Sequence, residues 1–138
     1  MEANGISRLG PYVLSIVRIM AGLLFLEHGT SKLLGFPPGP SASMFALSWF
    51  GGVIELVGGA LVALGLYTRV AAFIMSGEMA IGYFYVHAPK TFFPMLNGGD
   101  AAILYCFLFL YLAVAGGGAW SLDRLISRDK ATRRLSPA

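Results

Sequence analysis

A single carboxylate interrupts the apolar run GGVIELVGGALVALG at residues 51–65. An α-helix has 3.6 residues per turn, so positions three, four, seven and eight residues from Glu55 share the face of its side chain. Those positions hold Gly51, Gly52, Gly58, Gly59, Val62 and Ala63. Glycine costs a water-soluble helix about 1 kcal/mol per residue, whereas in a membrane helix it allows another helix or a ligand to approach closely. The run therefore predicts a membrane helix that presents Glu55 to a packed partner and not to lipid.

The composition of the whole chain is also typical of a membrane protein. Its 138 residues are 57% hydrophobic and only 12% charged, and the mean hydropathy is positive. Soluble domains contain about 25% charged residues. Most charged residues here lie near the ends of apolar segments, in loops or in the tails, which is the distribution that a bilayer imposes. We expect a single integral membrane domain over residues 1–138.

Four apolar segments predict four helices that cross the bilayer. They cover residues 11–34, 46–66, 70–86 and 101–119. Each segment is close to the roughly 20 residues that span about 30 Å of hydrocarbon. Residues 1–10 contain no cleavage-like site, so the first segment is interpreted as a retained anchor. The predicted fold is all-α, an integral membrane four-helix bundle in which the short turn at residues 67–69 makes the second and third helices antiparallel neighbours.

The distribution of Lys and Arg predicts the orientation in the membrane. Arg8, Arg69 and the tail lie on one side, while Lys32 and Lys90 lie on the other. The basic residues of the tail are Arg124, Arg128, Lys130, Arg133 and Arg134. Because cytoplasmic segments carry the excess of Lys and Arg, we expect both termini, and the basic tail at 120–138, in the cytoplasm. A basic cluster beside a span is interpreted as this topology signal, so no nucleic-acid partner is expected.

Ionisable residues also occur well inside the apolar segments. They are Arg18, Glu27, Glu55 and Glu78. An ionised side chain at the centre of a span costs roughly 2.5 to 3.5 kcal/mol, so these groups must pair, bind protons or contact water. We expect Arg18 to contact Glu55 or Glu78. One Arg cannot neutralise three Glu residues, so either burial keeps a carboxyl protonated or a hydrated outer cavity with His28 and Lys32 serves it.

Two interpretations of these buried charges stay open. In the first they only hold the helices together, with Arg18 at the centre. In the second they surround a cavity that binds a substrate headgroup or exchanges protons, because ionisable residues inside a membrane are candidates for function. The second interpretation predicts Glu55 and Glu78 as catalytic acids. The predicted substrate-binding residues are Arg18, Glu27, His28, His87, Gly58 and Gly59.

The sequence contains no flavin, nicotinamide or metal-binding motif. His28 and His87 fall near the outer ends of their segments and could ligate a haem, but interfacial histidines with local hydrogen bonds are much commoner. The aromatic cluster near residues 83–93 is interpreted as an interfacial belt, with the entrance to a quinone site as the alternative. The single Cys106 excludes a disulfide framework, a thiolate metal cluster and a thiol relay within this chain.

Several stretches together resemble the DoxX family of small four-span bacterial membrane proteins. They are the segment around Arg18, HGTSKLLGF at 28–36, ELVGG at 55–59, GLYTR at 65–69, FFP at 92–94, NGGD at 97–100 and GGGAWSLD at 116–123. Asp100 stands where a Glu is expected at least as often. The resemblance covers nearly the whole chain and implies an inner-membrane helical protein. It also implies an association with oxidoreductases, through similarity to the DoxD part of thiosulfate:quinone oxidoreductase, and with partner proteins in sulfur or oxidative-stress metabolism.

We therefore expect a membrane subunit of an oxidoreductase system that handles quinone or a small sulfur or redox substrate near Arg18, Glu55 and Glu78. Quinone is the candidate cofactor, since any redox chemistry needs either quinone or a partner subunit. A redox subunit and a second copy of this chain are the candidate partners within the lipid bilayer. The alternatives are a non-enzymatic membrane anchor or assembly partner whose polar layer is structural, and a conduit for small solutes or ions formed by an oligomer.

Overall fold

The structure is a computed structural model that describes residues 5–135, and every described element is helical. A 3₁₀ turn at Ser7–Leu9 leads into α1 (Gly10–Leu34), α2 (Leu47–Leu64), α3 (Thr68–Gly82), a π-helical segment (Tyr83–His87), α4 (Pro94–Asn97), α5 (Asp100–Ala115) and α6 (Leu122–Leu135). The all-α prediction is confirmed. The predictions made for residues 1–4 and 136–138, and for the side chains of Arg133 and Arg134, lie outside the described residues.

The main helices begin and end close to the predicted segments. Ser7–Leu34 and Leu47–Leu64 are long and apolar enough to cross a membrane. α3 has 15 residues and continues into 5 π-helical residues, and α5 has 16 residues. The predicted end of the fourth segment, at residue 119, is wrong because α5 ends at Ala115. Gly116 and Gly118 have φ values of 86° and 78°, which a right-handed helix cannot continue through.

The turns at one end of the molecule are joined by backbone hydrogen bonds. The amide of Ala119 donates to the carbonyl of Pro11 at 3.0 Å, and the amide of Asp123 donates to the carbonyl of Gly65 at 2.9 Å. The start of α1, the α2–α3 turn and the segment after α5 therefore lie together, and we call this region the Arg18 end. The loops at residues 35–46 and 88–99 lie at the opposite end, which we call the Lys32 end. Consequently α1, α2, α3 and α5 alternate in direction.

Glycines bring the backbones of α1 and α2 into direct contact. A Cβ atom on Gly22 would lie 2.4 Å from the nitrogen of Ala63, and one on Gly59 would lie 2.6 Å from the nitrogen of Leu26. No side chain can be accommodated at such distances. Small residues at helix interfaces are the usual means of close packing in membranes, where apolar burial alone drives little association.

An apolar core joins α1 and α2 to α3 and α5. Phe25 of α1 is 1% exposed and makes edge-to-face contacts with Phe109 and Tyr105 of α5, with ring centroids 4.7 and 4.8 Å apart. Met75 of α3 and Val62 of α2 are completely buried in the same core. The charged residues of the interior lie on either side of this core, toward the two ends.

Candidate functional site

Glu55 occupies the middle of α2 and is only 3% exposed. Its Oε1 atom accepts a hydrogen bond from Nζ of Lys32 at 2.7 Å, which forms a salt bridge with the last turn of α1. Its Oε2 atom is buried and has no hydrogen-bond partner among the described residues. A buried acceptor without a partner costs about 1–3 kcal/mol. The carboxyl group is therefore packed against protein, as the glycine pattern predicts, yet only half satisfied.

Glu78 of α3 brings a second carboxyl group to the same region. Its Oε2 atom is also buried and lacks a partner within the described part of the chain. Its Oε1 atom points at Gly51, where an added Cβ would lie 3.1 Å away. Gly51 precedes Glu55 by about one helical turn, so both carboxyl groups lie at the same part of the α2–α3 interface. Glu78 is close enough to Glu55 and Lys32 for their charges to interact.

Both carboxyl groups line a cavity of about 670 Å³ between α2 and α3. The polar groups on its wall are few, and most of the lining is apolar, including Leu47, Phe50, Ile54, Ile74, Ile81 and Val86. Ile81 and Val86 are also 62% and 50% exposed on the outer surface, so the cavity opens sideways between the two helices. Its volume is in the range of about 300–1,000 Å³ found for small-molecule sites, which typically combine apolar walls with a few converging polar groups.

Glycines and a π-helical segment keep this cavity open. Gly77 and Gly82 line it, and a Cβ at either position would meet no atom within 4 Å. The π-helical segment supplies Tyr85 and Val86 to the wall. Its turn is completed by a hydrogen bond of 2.9 Å from the amide of Ala88 to the carbonyl of Tyr83. Short π-helical segments occur frequently at functional sites.

Arg18 lies at the opposite end of the molecule and is completely buried. Its guanidinium group donates four hydrogen bonds of 2.6–2.7 Å to backbone carbonyls. The acceptors belong to Val62, Ala63, Gly117 and Trp120. The predicted contact with Glu55 or Glu78 is wrong, because the last carbonyls of α2 have no partner within the helix and attract the guanidinium instead. Val62 is also about 10 Å along the helix axis from Glu55.

Asp123 completes the Arg18 end. Its carboxylate accepts hydrogen bonds from the amides of Tyr67 at 2.8 Å and Thr68 at 2.9 Å, where α3 begins. Burial raises the pKa of the Asp123 carboxyl, but these hydrogen bonds and the nearby charge of Arg18 outweigh burial and hold the pKa below its usual value. The stretches GLYTR and GGGAWSLD thus meet in a network around Arg18 and Asp123.

A second, more open cavity of about 740 Å³ lies at this end, beside Tyr67, Arg69 and Asp123. Two of its three charged side chains, those of Asp123 and Arg69, have partners within the protein. The carboxylate of Asp123 is held by two amides, and Arg69 donates to the carbonyls of Ala113 and Val114. The cavity at the Lys32 end is therefore the better candidate for a binding site.

The other predicted site residues are not on the wall of the α2–α3 cavity. Glu27 and His28 are exposed on α1, and the His28 ring contacts Phe25. His87 lies just beyond the cavity, where its Nδ1 atom is 3.0 Å from the carbonyl oxygen of Asn97.

Gly58 and Gly59 also lie away from the cavity, in the contacts between helices. A Cβ on Gly58 would lie 2.7 Å from the sulfur of Met75, and Gly59 abuts the backbone of α1. The structure therefore separates the glycines near Glu55 into two groups. Gly51 gives room to the second carboxyl group, while Gly58 and Gly59 allow the helices to pack.

Sequence reasoning did not identify Gly77 and Gly82 as cavity residues, and it treated Lys32 chiefly as a charge that sets topology. A signal for Lys32 was present, because a long cationic side chain in the last turn of a membrane helix can extend along the apolar surface. The glycine next to Glu78 was a weaker signal, since its open side becomes apparent only once the helices are packed.

These features define a class of protein, a helical membrane protein with a polar cavity enclosed by apolar helices. A family model described as DoxX matches residues 13–88, and the chain belongs to the DoxX family. An uncharacterized protein of Haemophilus influenzae is 45% identical over 87% of this chain and 95% of its own length. An uncharacterized membrane protein of Mycobacterium tuberculosis is 32% identical, with coverage of 86% and 84%. A Bacillus subtilis protein named "Putative oxidoreductase CatD" is 25% identical, with coverage of 88% and 92%. No solved structure matches the chain.

Proposed function

We propose that this chain is the membrane subunit of an oxidoreductase system and that the α2–α3 cavity binds a quinone or a similar lipid-soluble redox molecule. One observation carries the proposal: Glu55 and Glu78, each with a buried carboxyl oxygen that has no partner among the described residues, line the same largely apolar cavity. An apolar molecule with a hydrogen-bonding headgroup would satisfy both the wall and the carboxyl groups. The name of the Bacillus subtilis relative supports an oxidoreductase role.

The proposal includes four membrane crossings, by α1, α2, α3 with its π-helical extension, and α5. The alternating directions of these helices support four crossings. The combined length of α3, with 15 residues, and its π-helical extension, with 5 residues, also supports them. We place the Arg18 end and both termini in the cytoplasm, and the protein in a bacterial inner membrane, because Arg8, Arg69 and the basic tail all belong to that side. Reporter fusions after Arg69 and after residue 131 should then report the cytoplasm, and a fusion near Lys90 the outside. A cytoplasmic Lys90 loop would contradict this topology.

In this orientation the cavity lies in the outer half of the bilayer. Glu55 is eight residues from the start of α2, about 12 Å along the helix axis. Reduction of a quinone to a quinol takes up two electrons and two protons. A partner redox subunit would supply the electrons, while Glu55 and Glu78 would exchange protons with the headgroup.

A non-enzymatic anchor or assembly partner is the second candidate, and the Arg18 end supports it. There, the stretches GLYTR and GGGAWSLD form hydrogen bonds within the chain, which is the arrangement expected of a structural element. Binding of a quinone analogue distinguishes the two candidates, because an anchor does not need the cavity to be filled.

The test is the titration of purified protein in lipid nanodiscs with a short-tailed quinone analogue. Gly77→Leu places a side chain in the open cavity without a clash at Cβ, so it should weaken binding at least tenfold. Gly10→Leu is the matched control, since Gly10 is also open but lies at the Arg18 end. Equal binding by the wild type and Gly77→Leu would contradict the assignment of the cavity.

A further inference from the structure

Glu27 presents a carboxylate on the outer surface of a membrane helix. It is exposed on α1, where exposed apolar residues such as Leu24 and Leu34 lie on either side of it. Its backbone carbonyl accepts a hydrogen bond from Thr30, but no described side chain forms a salt bridge with its carboxylate. Glu27 is seven residues from the end of α1, about 10 Å inside the helix. An acidic group in contact with hydrocarbon at such a depth is costly, which points to a partner outside this chain.

The exposed face that carries Glu27 has the spacing of a helix–helix seam. Its residues follow one another at alternating intervals of three and four, the a and d positions of a heptad. They are Gly10, Val13, Val17, Met20, Leu24 and Glu27, all of them exposed. Apolar residues at these positions pack by knobs into holes, and a single polar residue in such a seam fixes the register of the pair. Glu27 is the only charged member of this seam.

We propose that a second copy of this chain covers the seam, α1 against α1, with the two copies related by a two-fold axis along the membrane normal. Charge complementarity favours a second copy. In a parallel pair, a residue at position d contacts both the d residue and the following residue of the other helix. Glu27 is followed by His28, which is exposed and has no described hydrogen bond. The imidazole of each copy can therefore donate to the carboxylate of the other, and two-fold symmetry forms this bond twice.

This dimer is independent of the proposed quinone site, because none of the seam residues lines the α2–α3 cavity. The test uses intact membranes that contain the Cys106→Ser variant, into which one new cysteine at a time is introduced. Under mild oxidation Met20→Cys should form a disulfide-linked dimer. Phe73→Cys is the control, since Phe73 is 64% exposed on α3 but outside the seam. Absence of a Met20→Cys dimer, an equal yield from Phe73→Cys, or capture of a different polypeptide would overturn the proposal.

The polar pair has its own test in the same membranes, by energy transfer between labelled copies. Glu27→Leu should weaken association roughly 3- to 30-fold, the range expected from interhelical hydrogen bonds in membranes. His28→Leu should have a similar effect, and the double variant should be little worse than either single variant because both remove the same bond. Phe73→Leu should leave association unchanged. Wild-type association by Glu27→Leu, or strictly additive losses in the double variant, would contradict the reciprocal pair.

Discussion

The two ends of the molecule hold buried charges in opposite conditions. At the Arg18 end a fully buried guanidinium donates to four carbonyls, and Asp123 accepts from two amides. At the Lys32 end two carboxyl groups each leave an oxygen without a partner, beside a cavity that opens sideways. A satisfied polar network rigidifies a fold, whereas an unsatisfied one is costly unless a ligand, a proton or water completes it. The comparison favours a structural role for the charges of the first end, and it supports our proposal that the second end binds a ligand.

The largest effect should come from removing Arg18. Arg18→Leu removes all four hydrogen bonds to carbonyls of α2 and of the segment after α5, of which Val62 keeps the amide of Gly65 as a donor, so we expect a loss of about 3–5 kcal/mol in the free energy of unfolding in detergent. Arg18→Lys should rescue only part, because an ammonium group cannot reproduce the planar set of donors. Adding Glu55→Gln or Glu78→Gln should restore nothing. Recovery in either double variant would mean that Arg18 does interact with the carboxyl groups of the cavity.

The second effect sharpens the contrast at the Lys32 end. Glu55→Gln and Glu78→Gln should each weaken binding of a quinone analogue about tenfold, the usual effect of one hydrogen bond to a charged group. The thermal stability of both variants should change little. In Glu55→Gln, the side chain of Lys32, which is 31% exposed, can contact water in place of the carboxylate. The check is titration and thermal unfolding of the same preparations. Normal binding with strongly reduced stability would reverse the assignment and make the carboxyl groups structural.

The smallest effect concerns Asp123 and is dependent on pH. Because the folded state lowers the pKa of this carboxyl from its usual 3.8, its stabilisation is complete above that value. Stabilisation is lost as the pH falls through the lower pKa of the folded state. Asp123→Asn should cost about 1 kcal/mol at neutral pH, through the weaker cap of α3, and should flatten the fall in stability below pH 3.8. Identical acid unfolding of both proteins would exclude the Asp123 cap as a source of stability.

How much of this could be predicted differs between the two ends. The glycine face of residues 51–65 predicted that Glu55 is buried against protein, because helical periodicity depends only on the local sequence. The partners of Arg18 could not be predicted, because backbone carbonyls are present at every residue and carry no sequence signal. The different roles of Gly51 and Gly59 could not be predicted from the sequence either. Which glycine faces a cavity and which faces a backbone depends on how the helices pack.

The most direct measurement is photolabelling with a quinone that carries a photoreactive group on its ring, followed by mapping of the labelled residues by mass spectrometry. Two cavities of comparable volume, about 670 and 740 Å³, compete for the probe. Our account predicts labels on the cavity-facing residues of 47–55 and 74–86, displaced by unlabelled quinone and lost in Gly77→Leu. Labels concentrated around Arg69 and Arg124 at the Arg18 end, or labels unaffected by Gly77→Leu, would contradict it.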